Sequence, residues 1–263
     1  MKFNRILVTN DDGIGAEGIK LLTGMLSAVA RVYVVAPELE RSAMGHAITM
    51  HKPLHATPVE IEGATQAWRI NGTPADCAKL GVEALLPTRP DLLLSGINHG
   101  SNLGRDIYYS GTVSAAMEGM FLGVPSMALS YAGDDREGLE WSARFVRWWV
   151  TQSKFIQPPN GMLYNVNFPQ WNHQPPHQMV WVRLGQRRYS NDFHKRIDPR
   201  GRAYYWMAGR PHDAIQETDT DVGALAGGMI TVTPLQMDAT AYPFIADKEA
   251  LPIPSQLGEG LWP

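Results

Sequence analysis

Cysteine is almost absent from this chain: Cys77 is the only one in 263 residues. A disulfide within the chain and a zinc site built on thiolates are therefore both excluded. Cys77, inside a helical run, is expected to be a small core residue. Long apolar runs are missing too. No stretch approaches the roughly 18 uninterrupted apolar residues of a membrane span. Met1-Lys2 leads straight into a strand, without the apolar region of a secretory leader. A soluble cytoplasmic protein with no membrane partner is the expectation. Nor is there an excess of positive charge. Lys and Arg number 23 against 26 Asp and Glu, giving a formal net charge of −3 and a pI near 6.2. That balance excludes a broad basic surface, and with it duplex nucleic acid held through many phosphates. Internal repeats and low-complexity tracts are absent as well, and the loop that follows Ser95 is neither a GxGxxG nor a Walker loop.

What the chain does have is apolar residues, 44% of the total, enough for a packed core. Through about residue 155, apolar runs alternate with helical patterns, the sequence form of a parallel sheet with crossover helices. Strands are expected at Arg5 to Thr9, Arg31 to Ala36, Asp91 to Ser95 and Val124 to Ser130. Helices are expected near Ala16 to Ser27, Ala75 to Leu86, Thr112 to Leu122 and Leu139 to Gln152. Glu38 to Gly72 breaks the alternation with a loop and two extended pieces, Thr57 to Glu62 and Gln66 to Ile70. After about Gln157 the composition shifts to Pro, Trp, Tyr and His, with strands at Leu163 to Asn167, Val180 to Leu184 and Met229 to Thr233. The expected organisation is an α/β catalytic core over 1–157. Residues 158–263 then add strands that complete the core, and an arm at about 185–222. The arm is too long and too irregular for an ordinary loop. It reads as a lid, or as an arm packed on another subunit.

Three loops at strand ends carry the chemistry. Asn10-Asp11-Asp12-Gly13 follows the apolar strand Ile6-Leu7-Val8. Two adjacent ionised carboxylates repel, so they need solvent or a cation, and a hard divalent cation prefers such oxygens. The plainer reading makes Asp12 a helix cap and Asp11 solvated. Gly96 to Asp106 holds Asn98, His99, Gly100, Asn102 and Gly104, whose Gly and Asn residues let main-chain amides approach a phosphate. Turn-making alone would use the same residues. Ser110-Gly111-Thr112 opens the next helix, and hydroxyls with free N–H groups at a helix start form an anion site without Lys or Arg. A plain N-cap would look alike. The loop Pro37 to Gly45 contains Glu38, Arg41 and Ser42, but no local feature marks Ser42. His46, His51 and His55 lack the spacing of a zinc site. Trp148-Trp149 lies on an amphipathic helix and suits core or interface packing.

Taken together, ILVTNDDGIGAEGI, the AP-E-RS loop, NGTPADC, SGINHGSNLGRDIYYSGTVSAAMEG and ITVTPLQMDAT resemble the survival protein SurE family of metal-dependent nucleotide phosphatases. The motifs span nearly the whole chain in order. The resemblance implies a Rossmann-like α/β core whose C-terminal extension forms dimers or tetramers. It also implies hydrolysis of nucleoside 5′- and 3′-monophosphates, extending in some members to short polyphosphate. By matching motif, Asp11, Asp12, Ser42 and Asn98 are the implied ligands of one divalent ion per subunit, Mg²⁺ or Mn²⁺. His99 stays outside that set.

The resulting expectation is a phosphoric monoester hydrolase with Asp11, Asp12 and Asn98 catalytic. Asn10, Gly96, Gly100, Asn102, Gly104, Asp106, Ser110, Gly111 and Thr112 are expected to surround the phosphate, where electrostatic positioning supplies most of the catalysis. The leaving-group acid stays open between Asp106 and His99. An aspartyl-phosphate route through Asp11 or Asp12 ranks lower, because Asn-Asp-Asp-Gly is not the Asp-x-Asp of phosphatases that work that way. From another class, the alternative is a nucleotide-binding regulatory module without turnover.

Overall fold

The computed structural model describes residues 3–152, 154, 157–187, 189, 190, 193–207, 209 and 217–245. Its first half contains β1 (Arg5–Thr9), α1 (Glu17–Leu26), β2 (Arg31–Pro37), β3 (Ala56–Val59), β4 (Gln66–Ile70), α2 (Pro74–Leu80), β5 (Leu92–His99), α3 (Gly111–Phe121) and β6 (Ser126–Tyr131). Then come α4 (Arg136–Thr151), β7 (Met162–Phe168), β8 (Met179–Trp181), β9 (Phe193–Ile197), β10 (Ala203–Met207), α5 (Asp221–Ala226), β11 (Ile230–Gln236) and α6 (Tyr242–Ile245). A π-helical turn, Gly81–Leu85, prolongs α2, and a 3-10 turn, Gly104–Tyr108, precedes α3.

Among the described residues, nine strands share one sheet in the order β3-β4-β2-β1-β5-β6-β7-β11-β8. From β4 to β7 all pairs are parallel. The β3–β4 and β7–β11 pairs are antiparallel, and β8 runs parallel to β11. This is the mostly parallel α/β architecture expected, with strands from both sides of residue 157 in one sheet. Among the described residues no helix is long and apolar enough to cross a membrane.

Parallel strands covered on both faces read as continuous apolar runs. In β1, Ile6, Leu7 and Val8 are all fully buried. Side chains alternate along a strand, so the run divides between two layers. Ile6 and Val8 join Ile19, Leu22 and Leu26 of α1 and Val146 and Trp149 of α4. Leu7 points the other way, to Cys77 and Ala78 of α2 and Ala115 of α3. Each such side chain contributes about 1.5–3 kcal/mol by burial. Cys77 is thus the core residue expected. Of the tryptophan pair, Trp149 is buried and Trp148 exposed.

Several expected elements differ in extent: β3 ends at Val59 rather than Glu62, β5 runs on to His99, α4 begins at Arg136, and two further differences lie after residue 157. The strand over Val180 to Leu184 ends at Trp181, because Arg183 leaves the sheet to bridge Thr220, its N–H donating to the Asp219 carbonyl. Within 185–222 the chain forms an antiparallel hairpin of β9 and β10. Residues 188, 191, 192, 208 and 210–216 of that stretch lie outside the described residues.

The packing of α1 on β5 fixes one end of the site. A Cβ added to Gly18 would lie 2.0 Å from the Ile97 carbonyl oxygen, so helix and strand meet there backbone to backbone. Gly18→Ala is expected to push α1 away from the Ile97-Asn98 segment and to cost roughly 1–3 kcal/mol, as overpacking does. Urea unfolding of the variant at constant m-value measures that loss.

Candidate functional site

The chain leaves β1 toward β2 on one side and later returns to β5 on the other, so the strand order reverses at the β1–β5 pair. Open α/β sheets bind ligands at the carboxyl ends of such a pair. Asn10–Gly13 follows β1 there, and Asn98 and His99 end β5. The loop after β2 and the start of α3 complete the crevice.

Asn10 is buried and its Nδ2 donates to the Gly13 carbonyl at 2.8 Å, closing the turn. Gly13 takes φ +94° in that turn, a conformation that favours glycine. The Asp11 side chain, 4% exposed, accepts the Thr112 hydroxyl and the Thr112 backbone N–H. Burial nevertheless raises its pKa above the usual carboxylate range, because desolvation outweighs those bonds. Asp12 accepts the His99 backbone N–H at 3.2 Å. Burial first, and then the charge of Asp11, push its pKa up to about 6. Among the described residues neither carboxylate has an ion pair with Lys or Arg. They are a buried and a half-buried acid held side by side without a Lys or Arg partner among the described residues.

The Ser42 loop reaches this pair through the backbone, with the Arg41 N–H donating to the Asp11 carbonyl at 2.7 Å. Ser42 Oγ donates to Glu40 Oε1 at 2.7 Å. Glu40 in turn raises both Asp11 and Asp12 by its charge, a contribution the sequence reading missed. Also missed was Asp76, the acid of NGTPADC. It accepts the Thr73 N–H at 2.9 Å in a capping box at the start of α2. It also accepts the Thr49 N–H at 2.9 Å and the Thr49 hydroxyl at 2.6 Å. Helix α2 thereby anchors the far end of the loop that carries Ser42. A Thr-x-x-Asp capping signature was visible in the sequence; its grip on Thr49 was not.

At the start of α3, Ser110 is the N-cap, its Oγ accepting the Val113 N–H at 3.1 Å. Gly111 abuts the acid pair: a Cβ there would lie 2.7 Å from the Asp11 Cβ and 2.9 Å from Oδ2. The positive end of the helix dipole and its first-turn N–H groups therefore face the acidic loop, an arrangement that accepts an anion once a cation is also present.

The Gly96 to Asp106 loop divides in two. Its first part borders the crevice: Asn98 Nδ2 donates to the Gly100 carbonyl at 2.7 Å, a bond that does not use its Oδ1. The remaining groups are engaged within the protein. A Cβ on Gly96 would fall 2.3 Å from the Leu129 carbonyl. The Gly100 N–H donates to the Tyr131 carbonyl at 2.8 Å. Buried Asn102 donates its N–H to Asn167 Oδ1 and its Nδ2 to Ser130 Oγ, both at 2.8 Å, while its carbonyl accepts from Asn165 and Asn167. The Gly104 N–H donates to Asp221 Oδ2 at 2.8 Å. Asp106 accepts Arg187 at 3.1 Å and the Tyr189 hydroxyl at 2.5 Å. This second part is a belt tying the loop to β6, β7, α5 and the 183–189 segment.

As a cation site, the crevice offers the carboxylates of Asp11 and Asp12 with the neutral oxygens of Asn98 and Ser42. No group of three or more His, Cys, Asp or Glu side chains that could hold a metal occurs among the described residues. The donor set fits a hard ion that keeps several waters, because it is all oxygen and only half anionic. The missing counter-charge at Asp11 and Asp12 is the observation that supports the fit.

Comparison with known proteins agrees with this geometry. The family model described as Survival protein SurE matches residues 6–191. A 5′-nucleotidase SurE of Moorella thermoacetica is 52% identical over 243 residues, covering 91% of this chain and 92% of that protein. A 5′-nucleotidase SurE of Pelotomaculum thermopropionicum is 49% identical over 240 residues, 90% of this chain and 91% of that protein. Among solved structures, the Sure protein from Aquifex aeolicus superposes with a TM-score of 0.79 at 38% identity, covering 92% of this chain and 97% of that one.

Proposed function

The chain belongs to the survival protein SurE family, and on that premise we propose that it is a divalent-metal-dependent 5′-nucleotidase. It is a phosphoric monoester hydrolase, as the names of its relatives indicate. The observation that carries the metal-dependent reading is the acid pair of buried Asp11 and half-buried Asp12, without a Lys or Arg partner among the described residues and beside the start of α3.

Asp11, Asp12, Asn98 Oδ1 and Ser42 Oγ would hold one Mg²⁺ or Mn²⁺. When bound, such an ion supplies Lewis acidity, neutralising phosphoryl oxygens and favouring the ionisation of water. The chain's own groups do the rest. The Gly111 N–H at the start of α3 and the Ser110 hydroxyl would donate to the phosphoryl oxygens, where charge develops during transfer. Thr112 is committed to Asp11 and orients it. Asn10 shapes the turn, and Gly96, Gly100, Asn102 and Gly104 hold the loop in place. Asp106, engaged by Arg187 and Tyr189, is poorly disposed to protonate a leaving oxygen. His99, which borders a cavity beside Asp12, is the better candidate. We extend the reading to 3′-monophosphates and short polyphosphate as secondary substrates, and to a homodimer or homotetramer joined through the β9–β10 hairpin. Nothing in the crevice favours a regulatory module without turnover.

The test is phosphate release from a nucleoside 5′-monophosphate with Mn²⁺ or Mg²⁺. Added chelator is expected to abolish release, and restored metal to recover it. Turnover indifferent to chelator would overturn the metal-dependent reading; absence of any turnover would restore the binding module.

A further inference from the structure

Beside the acid pair lies a cavity of about 280 Å³, on the side of the crevice away from Ser42. It is lined by Asp12 and His99 at the end nearer the reacting phosphate, and by Glu17, Asp134, Asp135 and Arg136 toward the β6–α4 connection. Ala16, Ile97 and Leu139 give it apolar surface. Its size is at the lower end of small-molecule pockets, and its lining is more polar than is usual for them, with Ala16, Ile97 and Leu139 as the apolar part. Asp12 belongs both to the acid pair and to the cavity wall, so the two adjoin.

The polar groups are not equivalent. Asp135 is spent as the N-cap of α4, its Oδ1 accepting the Gly138 N–H at 2.7 Å and its Oδ2 the Tyr131 hydroxyl at 2.5 Å. Glu17 pairs with Arg136 at 3.1 Å. Asp134 alone of the three acids beyond Asp12 has no hydrogen bond or ion pair with the described residues. An unengaged carboxylate is an acceptor only, and two vicinal hydroxyls are the complementary donors. The lining is also acidic, with Asp12, Glu17, Asp134 and Asp135 against Arg136. Such a wall repels a second phosphate and admits an uncharged group.

Resting on the nucleotidase reading, we propose that this cavity receives the nucleoside of the substrate and that Asp134 accepts the ribose 2′- and 3′-hydroxyls. The apolar surface of Ala16 and Leu139 then lies under the remainder of the nucleoside. Three preferences follow from the same contact. Ribonucleotides are favoured over 2′-deoxyribonucleotides, which offer one hydroxyl. 5′-Monophosphates are favoured over 3′-monophosphates, whose 3′ oxygen is esterified. Monophosphates are favoured over phosphate chains, which would bring charge against the acidic wall.

The experiment compares adenosine 5′-monophosphate, its 2′-deoxy counterpart and phenyl phosphate on the wild-type protein and on Asp134→Ala and Asp134→Asn, all with Mn²⁺. In the wild type, kcat/KM for the ribonucleotide is expected to exceed that for the deoxyribonucleotide by about 10-fold, the worth of a hydrogen bond to a charged group. Asp134→Ala should bring that ratio close to one, mainly through KM, and lower the ribonucleotide-to-phenyl-phosphate ratio about 10-fold. Asp134→Asn, which keeps an acceptor oxygen, should fall between. Equilibrium binding of adenosine and 2′-deoxyadenosine, without metal or phosphate, should show the same loss of preference. A ribo-to-deoxy ratio unaltered by either substitution, in both assays, would overturn the assignment of Asp134. No turnover on any of the three compounds would overturn the nucleotidase reading instead, and the nucleoside titrations would still decide for or against the cavity.

Discussion

Asp11→Asn is expected to lower metal-dependent phosphate release by at least about 10²–10³-fold, the loss seen when one preorganised electrostatic group is removed from such a site, while the fold survives. The amide keeps an acceptor oxygen for Thr112, so the link to α3 is retained. What it loses is a negative ligand. Metal-free stability should hold or rise, because the raised pKa of Asp11 means that burial already disfavours its charge. Asp12→Asn should act in the same direction on both counts.

The pH dependence of the metal-free protein separates this account from simple misfolding. Asp12 is held at about 6 in the folded state, above its ordinary 3.8. Between those values the folded chain keeps a proton that the unfolded chain has lost, so stability falls as pH rises from about 4 to about 6 and then levels. With partial exposure discounted, the drop attributable to Asp12 is about 1–2 kcal/mol. Urea midpoints measured with chelator across that range should show the decline in the wild type and a shallower one in Asp12→Asn. Full turnover with unaltered metal affinity in both variants would refute the ligand assignment.

Legibility in the sequence followed the range of the interactions. The β1, β2, β5 and β6 runs were readable because strands buried on both faces are apolar without interruption. The acid pair was readable because its chemistry is local, two carboxylates and a turn glycine in four residues. Ser42 was not, since its loop is brought to the crevice by long-range bonds, Arg41 to Asp11, Gly45 to Tyr109 and Thr49 to Asp76. The family resemblance supplied what local chemistry could not. In the Gly96 to Asp106 loop the glycines marked unusual backbone, φ +136° at Gly96 and +99° at Gly100, whereas Asn98 and Asn102 keep negative φ. The partners that occupy Asn102, Gly104 and Asp106 come from Asn167, Asp221 and Tyr189, far along the chain and invisible to a motif. The β9–β10 hairpin escaped for a different reason. Its residues are exposed on both faces, so no inside-outside pattern distinguishes its strands from a loop.

That exposure drives the prediction with the largest expected effect on assembly. The register pairs Phe193 with Met207, Lys195 with Tyr205 and Ile197 with Ala203, placing these residues on one face of the hairpin. Phe193, Ile197, Tyr205 and Met207 are between 60% and 78% exposed, so that face is mostly apolar and not covered by the described residues. An isolated two-stranded hairpin is marginal in water, and a contiguous apolar patch on one marks an interaction surface. The proposed occupant is a second copy of the chain, whose hairpin supplies an equivalent face under two-fold symmetry. Replacing residues 193–207 with a short Gly-Ser linker leaves Arg187 and Tyr189 on Asp106, so the belt behind the crevice is kept. The variant should therefore fold, sediment as a smaller species and release phosphate more slowly than the wild type. A lid serving its own subunit predicts otherwise: activity changes while the mass stays the same. Light scattering at matched concentration decides, and an unchanged mass would remove the hairpin from the subunit interface.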